Sequence, residues 1–111
     1  MAKESNVKTV TNFLADRLRA EGLAISKIVL FGSHRKGKAT EGSDIDLAIV
    51  SEDFRNKDIF KRVELIKVAE IMTIKKFMVP LDIVMLTPEE LESETSLFAE
   101  YVKQGEVLYA K

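Results

Sequence analysis

Three short apolar runs constrain this chain more than any other feature: Lys27-Ile28-Val29-Leu30-Phe31, Ile45 to Val50, and Leu81-Asp82-Ile83-Val84-Met85-Leu86. They are rich in β-branched and aromatic residues, and turn formers stand beside them. The first runs into Gly32-Ser33 and the third follows Pro80, so each run is predicted to be a strand. The segments between them carry a helical period instead. Val7, Val10, Leu14 and Leu18 recur at helical spacing, with Ser5 or Asn6 placed to cap the helix and Gly22 to stop it. From Lys57 to Phe77 a broad stripe of Ile59, Val63, Ile66 and Ala69, with Phe60, Leu65, Val68, Ile71 and Met72, predicts a long helix lying against the sheet. Thr87-Pro88-Glu89-Glu90 combines an N-cap threonine, a proline at the first helical position and the glutamate of a capping box. It predicts a helix running to Lys103, burying Leu91, Leu97, Phe98, Tyr101 and Val102, and ending at Gly105. The polar stretch from His34 to Gly42 is read as a short helix and a loop. Val107-Leu108-Tyr109 either adds a short strand or packs back. The order α-β-α-β-α-β-α argues for an α/β fold, a sheet covered by helices.

Composition narrows the function classes. A chain of 111 residues is expected to form a single domain, and 46% apolar with 32% charged residues allows both a core and a solvated surface. Seventeen basic against 18 acidic residues give no global field toward nucleic acid or anionic lipid, so any phosphate binding is local. The absence of cysteine excludes disulfides, thiolate metal sites and cysteine nucleophiles. No apolar run approaches the roughly 20 residues that span a bilayer. The expectation is a soluble cytoplasmic protein with no membrane contact.

Ser43-Asp44-Ile45-Asp46-Leu47 opens the second predicted strand. The two-residue period of a strand puts Asp44 and Asp46 on one face and Ile45 and Leu47 on the other. A solvated strand end accounts for such a pair. So does a divalent cation that removes the repulsion between the carboxylates, since hard oxygen ligands suit magnesium and magnesium suits phosphate. Asp82 interrupts an apolar run, where an ionised carboxylate is costly unless it lies at the strand end, is paired or binds metal. If the third strand lies beside the second, the three aspartates form one cluster able to hold two metal ions for phosphoryl transfer. Gly32-Ser33, at the end of the first strand, reads either as an ordinary capped turn or as a phosphate cradle. In the latter, glycine permits close backbone approach and the serine hydroxyl donates.

Phe31-Gly32-Ser33-His34-Arg35-Lys36-Gly37, then Ser43-Asp44-Ile45-Asp46-Leu47, then Asp82 in the next strand, resembles the signature of the polymerase-β-type nucleotidyltransferase superfamily. The signature is Gly-Ser, ten intervening residues, Asp-X-Asp, and a later carboxylate. In detail the chain is similar to the minimal nucleotidyltransferases, small prokaryotic proteins often paired with a HEPN-domain toxin. The resemblance implies a small mixed sheet with the active site at its edge. It implies that Gly32 and Ser33 hold the triphosphate, with Arg35 and Lys36 on the phosphate side. It further implies that Asp44, Asp46 and Asp82 bind two Mg2+ ions, Asp82 also helping to deprotonate the attacking hydroxyl. ATP is the implied substrate, and the implied acceptor is a tyrosine of the partner toxin. Arg35-Lys36 stands where the family commonly has Ala-Arg, which keeps the positive charge and leaves the individual role of Lys36 open.

Other residues have plainer readings. His34 reads as an exposed helix-start residue, and Lys38 balances phosphate or belongs to a solvated basic face. Lys61, Lys67, Lys75 and Lys76 read as the wet face of the long helix, and Tyr101 and Tyr109 as packing residues. Two rival functions stand beside the first: a transferase for a small-molecule acceptor, and a non-catalytic antitoxin that neutralises its partner by binding alone. Direct nucleic-acid binding is not expected.

Overall fold

The three apolar runs are strands at their predicted positions, and a fourth strand joins them. A computed structural model describes residues 3–32, 44–93 and 96–110. Strands β1 (Lys27–Phe31), β2 (Ile45–Val50), β3 (Leu81–Leu86) and β4 (Glu106–Ala110) form one sheet in the order β3-β2-β1-β4. β1 is antiparallel to both β2 and β4, whereas β2 and β3 run parallel. The sheet is therefore mixed, as the resemblance implied. A parallel pair needs a crossover, and helix α2 (Ile59–Phe77) supplies it. The open reading of Val107-Leu108-Tyr109 resolves as a strand, paired with β1 through a register shift between Ile28 and Val29.

Alternation along β1 and β2 divides the core in two. Ile28, Leu30, Ile45, Leu47 and Ile49 pack with α1 (Lys3–Ala20) and α2 in the larger cluster, where Val10, Leu14, Leu18, Ile66 and Phe54 are also buried. Val29, Phe31, Ala48 and Val50 face the other way, in a cluster with Leu91 and Val102.

Helix α1 runs through Ser5 and Asn6, so neither caps it. Its end is as predicted. Gly22 adopts φ 92°, the Gly22 amide donates to Arg19 O at 2.9 Å, and Leu23 N donates to Leu18 O at 3.0 Å. Between β2 and α2 an unforeseen 3-10 turn, Glu52–Phe54, is capped by Ser51 Oγ, which accepts from Asp53 N and donates to Ala24 O. This ties the entry to β1 to the exit from β2.

Two helix expectations need correction. On α2 only Ile66, Ala69 and Thr73 are buried, while Ile59, Phe60, Val63, Val68, Ile71 and Met72 are exposed, because only one face of the helix meets α1 and the sheet. The final predicted helix is two: α3 (Pro88–Leu91) and α4 (Leu97–Lys103). The Thr87 capping box forms as expected, but Ser96 caps a new start by accepting from Ala99 N at 3.0 Å, and a serine side chain bonded to backbone in this way competes with helix continuation. The break leaves Leu97 90% exposed and Tyr101 half-exposed, whereas Leu91 and Val102 are buried as predicted. Arg62 fastens these parts together. It forks onto Glu90 at 2.8 and 3.0 Å and donates to the carbonyls of Met85 and Lys57. The short helix predicted within His34 to Gly42 and the side chain of Phe98 lie outside the described residues. Among the described residues no helix is long and apolar enough to cross a membrane.

Candidate functional site

The carboxylates converge because β2 and β3 are parallel and in step. Ile45 pairs with Leu81 and Asp46 with Asp82, and Ile45 N donates to Pro80 O at 3.1 Å, fixing the start of both strands. Residues directly across a sheet point to the same face. Asp46 and Asp82 thus stand side by side on the face of Ala48 and Val50, at the end of the sheet where β1 finishes. Asp44 precedes β2 by one residue and is exposed, two positions from Asp46.

Gly32 closes the third side. Phe31 pairs with Asp46, and Gly32, one residue on, has φ 77°, the left-handed region that a β-carbon disfavours. A β-carbon on Gly32 would overlap the Asp46 carboxylate, with Asp46 Cγ only 3.0 Å away. The glycine therefore lets backbone and carboxylate lie in contact, which brings the end of β1 to the aspartates. Tyr101 of α4 borders this edge, its ring meeting Phe31 edge-on with centroids 5.7 Å apart. Ser33, Arg35 and Lys36 lie outside the described residues.

Two adjacent like charges oppose each other across paired strands. The half-buried Glu70 of α2 adds a third negative group to the neighbourhood, its carboxyl pushed above the usual range by burial and then by the charge of Asp82. Glu70 belongs to none of the sequence motifs. It stands four residues after buried Ile66 and three before buried Thr73, so an acidic side chain on the flank of the buried stripe was the available signal. Hard oxygen donors placed across from one another suit a small divalent cation. The register of Asp46 and Asp82 and the contact of Gly32 with Asp46 fit such an ion, although among the described residues no three acidic, histidine or cysteine side chains are gathered closely enough to hold one.

The chain is similar to known proteins. The family described as nucleotidyltransferase domain matches residues 12–106. A Methanocaldococcus jannaschii protein, named by inference as a protein adenylyltransferase, is 42% identical over 52 residues, 47% of this chain and 49% of that protein. The chain thus spans about half the length of this curated relative. A Sulfolobus solfataricus crystal structure, assigned by inference as a nucleotidyltransferase, superposes with a TM-score of 0.68 at 18% identity, over 99% of this chain and 87% of that one. A toxin–antitoxin crystal structure with AMP-PNP superposes with a TM-score of 0.60 at 25% identity, over 88% of this chain and 72% of that one.

Proposed function

We propose, because this chain belongs to the nucleotidyltransferase domain family, that it transfers AMP from ATP to a hydroxyl of a partner protein, a tyrosine of a HEPN-type toxin, and acts in the cytoplasm as that toxin's antitoxin. The observation that carries the reading is the register of Asp46 with Asp82 beside Gly32. The adenylyltransferase name of the archaeal relative and the AMP-PNP-bound toxin–antitoxin structure support the substrate and the partner class.

In this reading Asp44, Asp46 and Asp82 hold two Mg2+ ions, which when bound neutralise triphosphate charge and lower the pKa of the attacking hydroxyl. Gly32 admits the triphosphate close to the backbone. Ser33 donates to it, and Arg35 and Lys36 offset its charge, as the resemblance implies. The tyrosine oxygen forms a bond to the α-phosphorus as the bond to pyrophosphate breaks, and Asp82 helps to take the hydroxyl proton. The exposure of Asp44 and Asp82 suits an acceptor presented by another molecule.

The test is the intact mass of the toxin after incubation with this chain, ATP and magnesium. One or more AMP additions are expected, and none with Asp46→Asn. An unmodified toxin that is nevertheless neutralised would establish inhibition by binding alone. AMP addition undiminished by Asp46→Asn would remove these carboxylates from the mechanism.

A further inference from the structure

We infer that the outward ridge of α2 is a self-association surface, on which a second copy of this chain packs through an antiparallel contact between the two α2 helices. Ile66, Ala69 and Thr73 are the buried residues of α2, so the residues half a turn round point away from the core. These are Phe60, Glu64, Val68, Ile71, Lys75 and Met78, spaced by four, four, three, four and three residues, the seam of paired helices. All six are exposed, Phe60 at 79% and Met78 at 83%. Seven of the ten large apolar side chains exposed among the described residues belong to α2 or its C-cap. A helix face that meets only water is ordinarily polar. Met78 bears a second cost, since its φ of 53° is a backbone region that a β-carbon disfavours.

The order of residues along the ridge identifies the occupant. It reads apolar, acidic, apolar, apolar, basic, apolar. Turned end for end it reads the same, with acid and base exchanged. A two-fold axis near Ala69 and Glu70 therefore sets Phe60 against Met78 of the second copy, Glu64 against Lys75, and Val68 against Ile71. An isologous interface requires such self-complementarity, and a foreign partner does not. Parallel packing is disfavoured, because it sets Glu64 on Glu64 and Lys75 on Lys75. Within one copy neither charge has an ion-pair partner among the described residues. Helix α2, with 19 residues, is about 28 Å long. One helix pair of that length falls below the roughly 1,200 Å² of a standard stable interface, so the dimer is concentration-dependent. None of the six ridge residues belongs to the aspartate site, and this inference does not rest on the proposed transfer reaction.

Sedimentation velocity on the whole chain across the micromolar range tests it. A reversible dimer is expected. Glu64→Lys and Lys75→Glu should each weaken it at least about fivefold by making two repulsive pairs across the axis, and the double swap should restore it. Ile71→Glu should leave a monomer. All of these side chains are exposed, and circular dichroism confirms that each variant is folded. A chain that stays monomeric throughout, including one whose ridge binds only a different protein, overturns the inference. So does a dimer indifferent to the single swaps, or one that the double swap does not restore.

Discussion

The two faces of β2 belong to one six-residue strand and have opposite characters. Ile45, Leu47 and Ile49 are apolar from end to end and buried to 3% exposure or less beneath α1 and α2. On the opposite face Ala48 and Val50 are buried in the smaller cluster, but the next position toward the strand start is Asp46, with Asp82 directly across. The first face holds the sheet together, and the second gives up apolar contact at its end to gather like charges. The contrast shows where the stabilising work of this small sheet is done and where it is forgone.

Neighbouring residues on opposite faces give the sharpest way to break this contrast. Asp46→Asn should lower AMP transfer by at least about a hundredfold. It should leave the urea midpoint unchanged or slightly raised, because a repulsive cross-strand pair is relieved. Leu47→Ala, one residue on, should cost about 2–5 kcal/mol in urea unfolding, with transfer per folded molecule retained. If Asp46→Asn unfolds the chain, or Leu47→Ala spares stability while abolishing transfer, the division between faces is wrong.

Smaller effects sharpen it. Gly105→Ala should destabilise by about 1–3 kcal/mol in the same assay. Its β-carbon would press on the backbone carbonyl of Leu30, which cannot easily give way, and on the side-chain Cγ1 of Val29 at 2.8 Å. Gly32→Ala should mix both effects. About 1–2 kcal/mol is lost to the left-handed backbone, and transfer falls as well because the Asp46 carboxylate is displaced. The smallest effect concerns the clamp over the β3–α3 turn. The hydrogen bonds from Arg62 hold the Glu90 carboxyl below its usual range. The folded state therefore binds that proton less readily than the unfolded state does. The resulting stability is present above the ordinary glutamate range and is lost as pH falls through the depressed value. Glu90 is 44% exposed and its charge is screened, so the contribution stays below about 1 kcal/mol. Urea midpoints of the unsubstituted chain should fall more steeply on acidification than those of Glu90→Gln.

The sequence was most informative where one periodicity operated alone. The alternation around Ile45 and Asp46 correctly opposed their side chains, and Asp82 met Asp46 because β3 does lie beside β2. It was least informative where two signals overlapped. The apolar residues of α2 lie on both its buried and its exposed faces, and hydropathy does not distinguish Ile66, which is buried, from Ile71, which is exposed. The capping box at Thr87 marked a helix start correctly. Ser96 starts a second helix, a hydroxyl signal that the apolar residues on either side of it outweigh in the pattern. Gly32-Ser33 announced a turn. That the glycine also makes room for Asp46 depends on β1 and β2 being antiparallel, which no local pattern records.

The crossover through α2 also places the two aspartates on strands of unequal security. β2 is flanked on both sides, whereas β3, among the described residues, is the edge of the sheet with a partner on one side only. Fraying of β3 would carry Asp82 away from Asp46 while leaving most of the core closed. A ligand bridging the two carboxylates would act as a rivet across that seam. It should slow amide exchange along Leu81–Leu86 before it affects β1, so that occupancy of the site is readable in the breathing of a single strand.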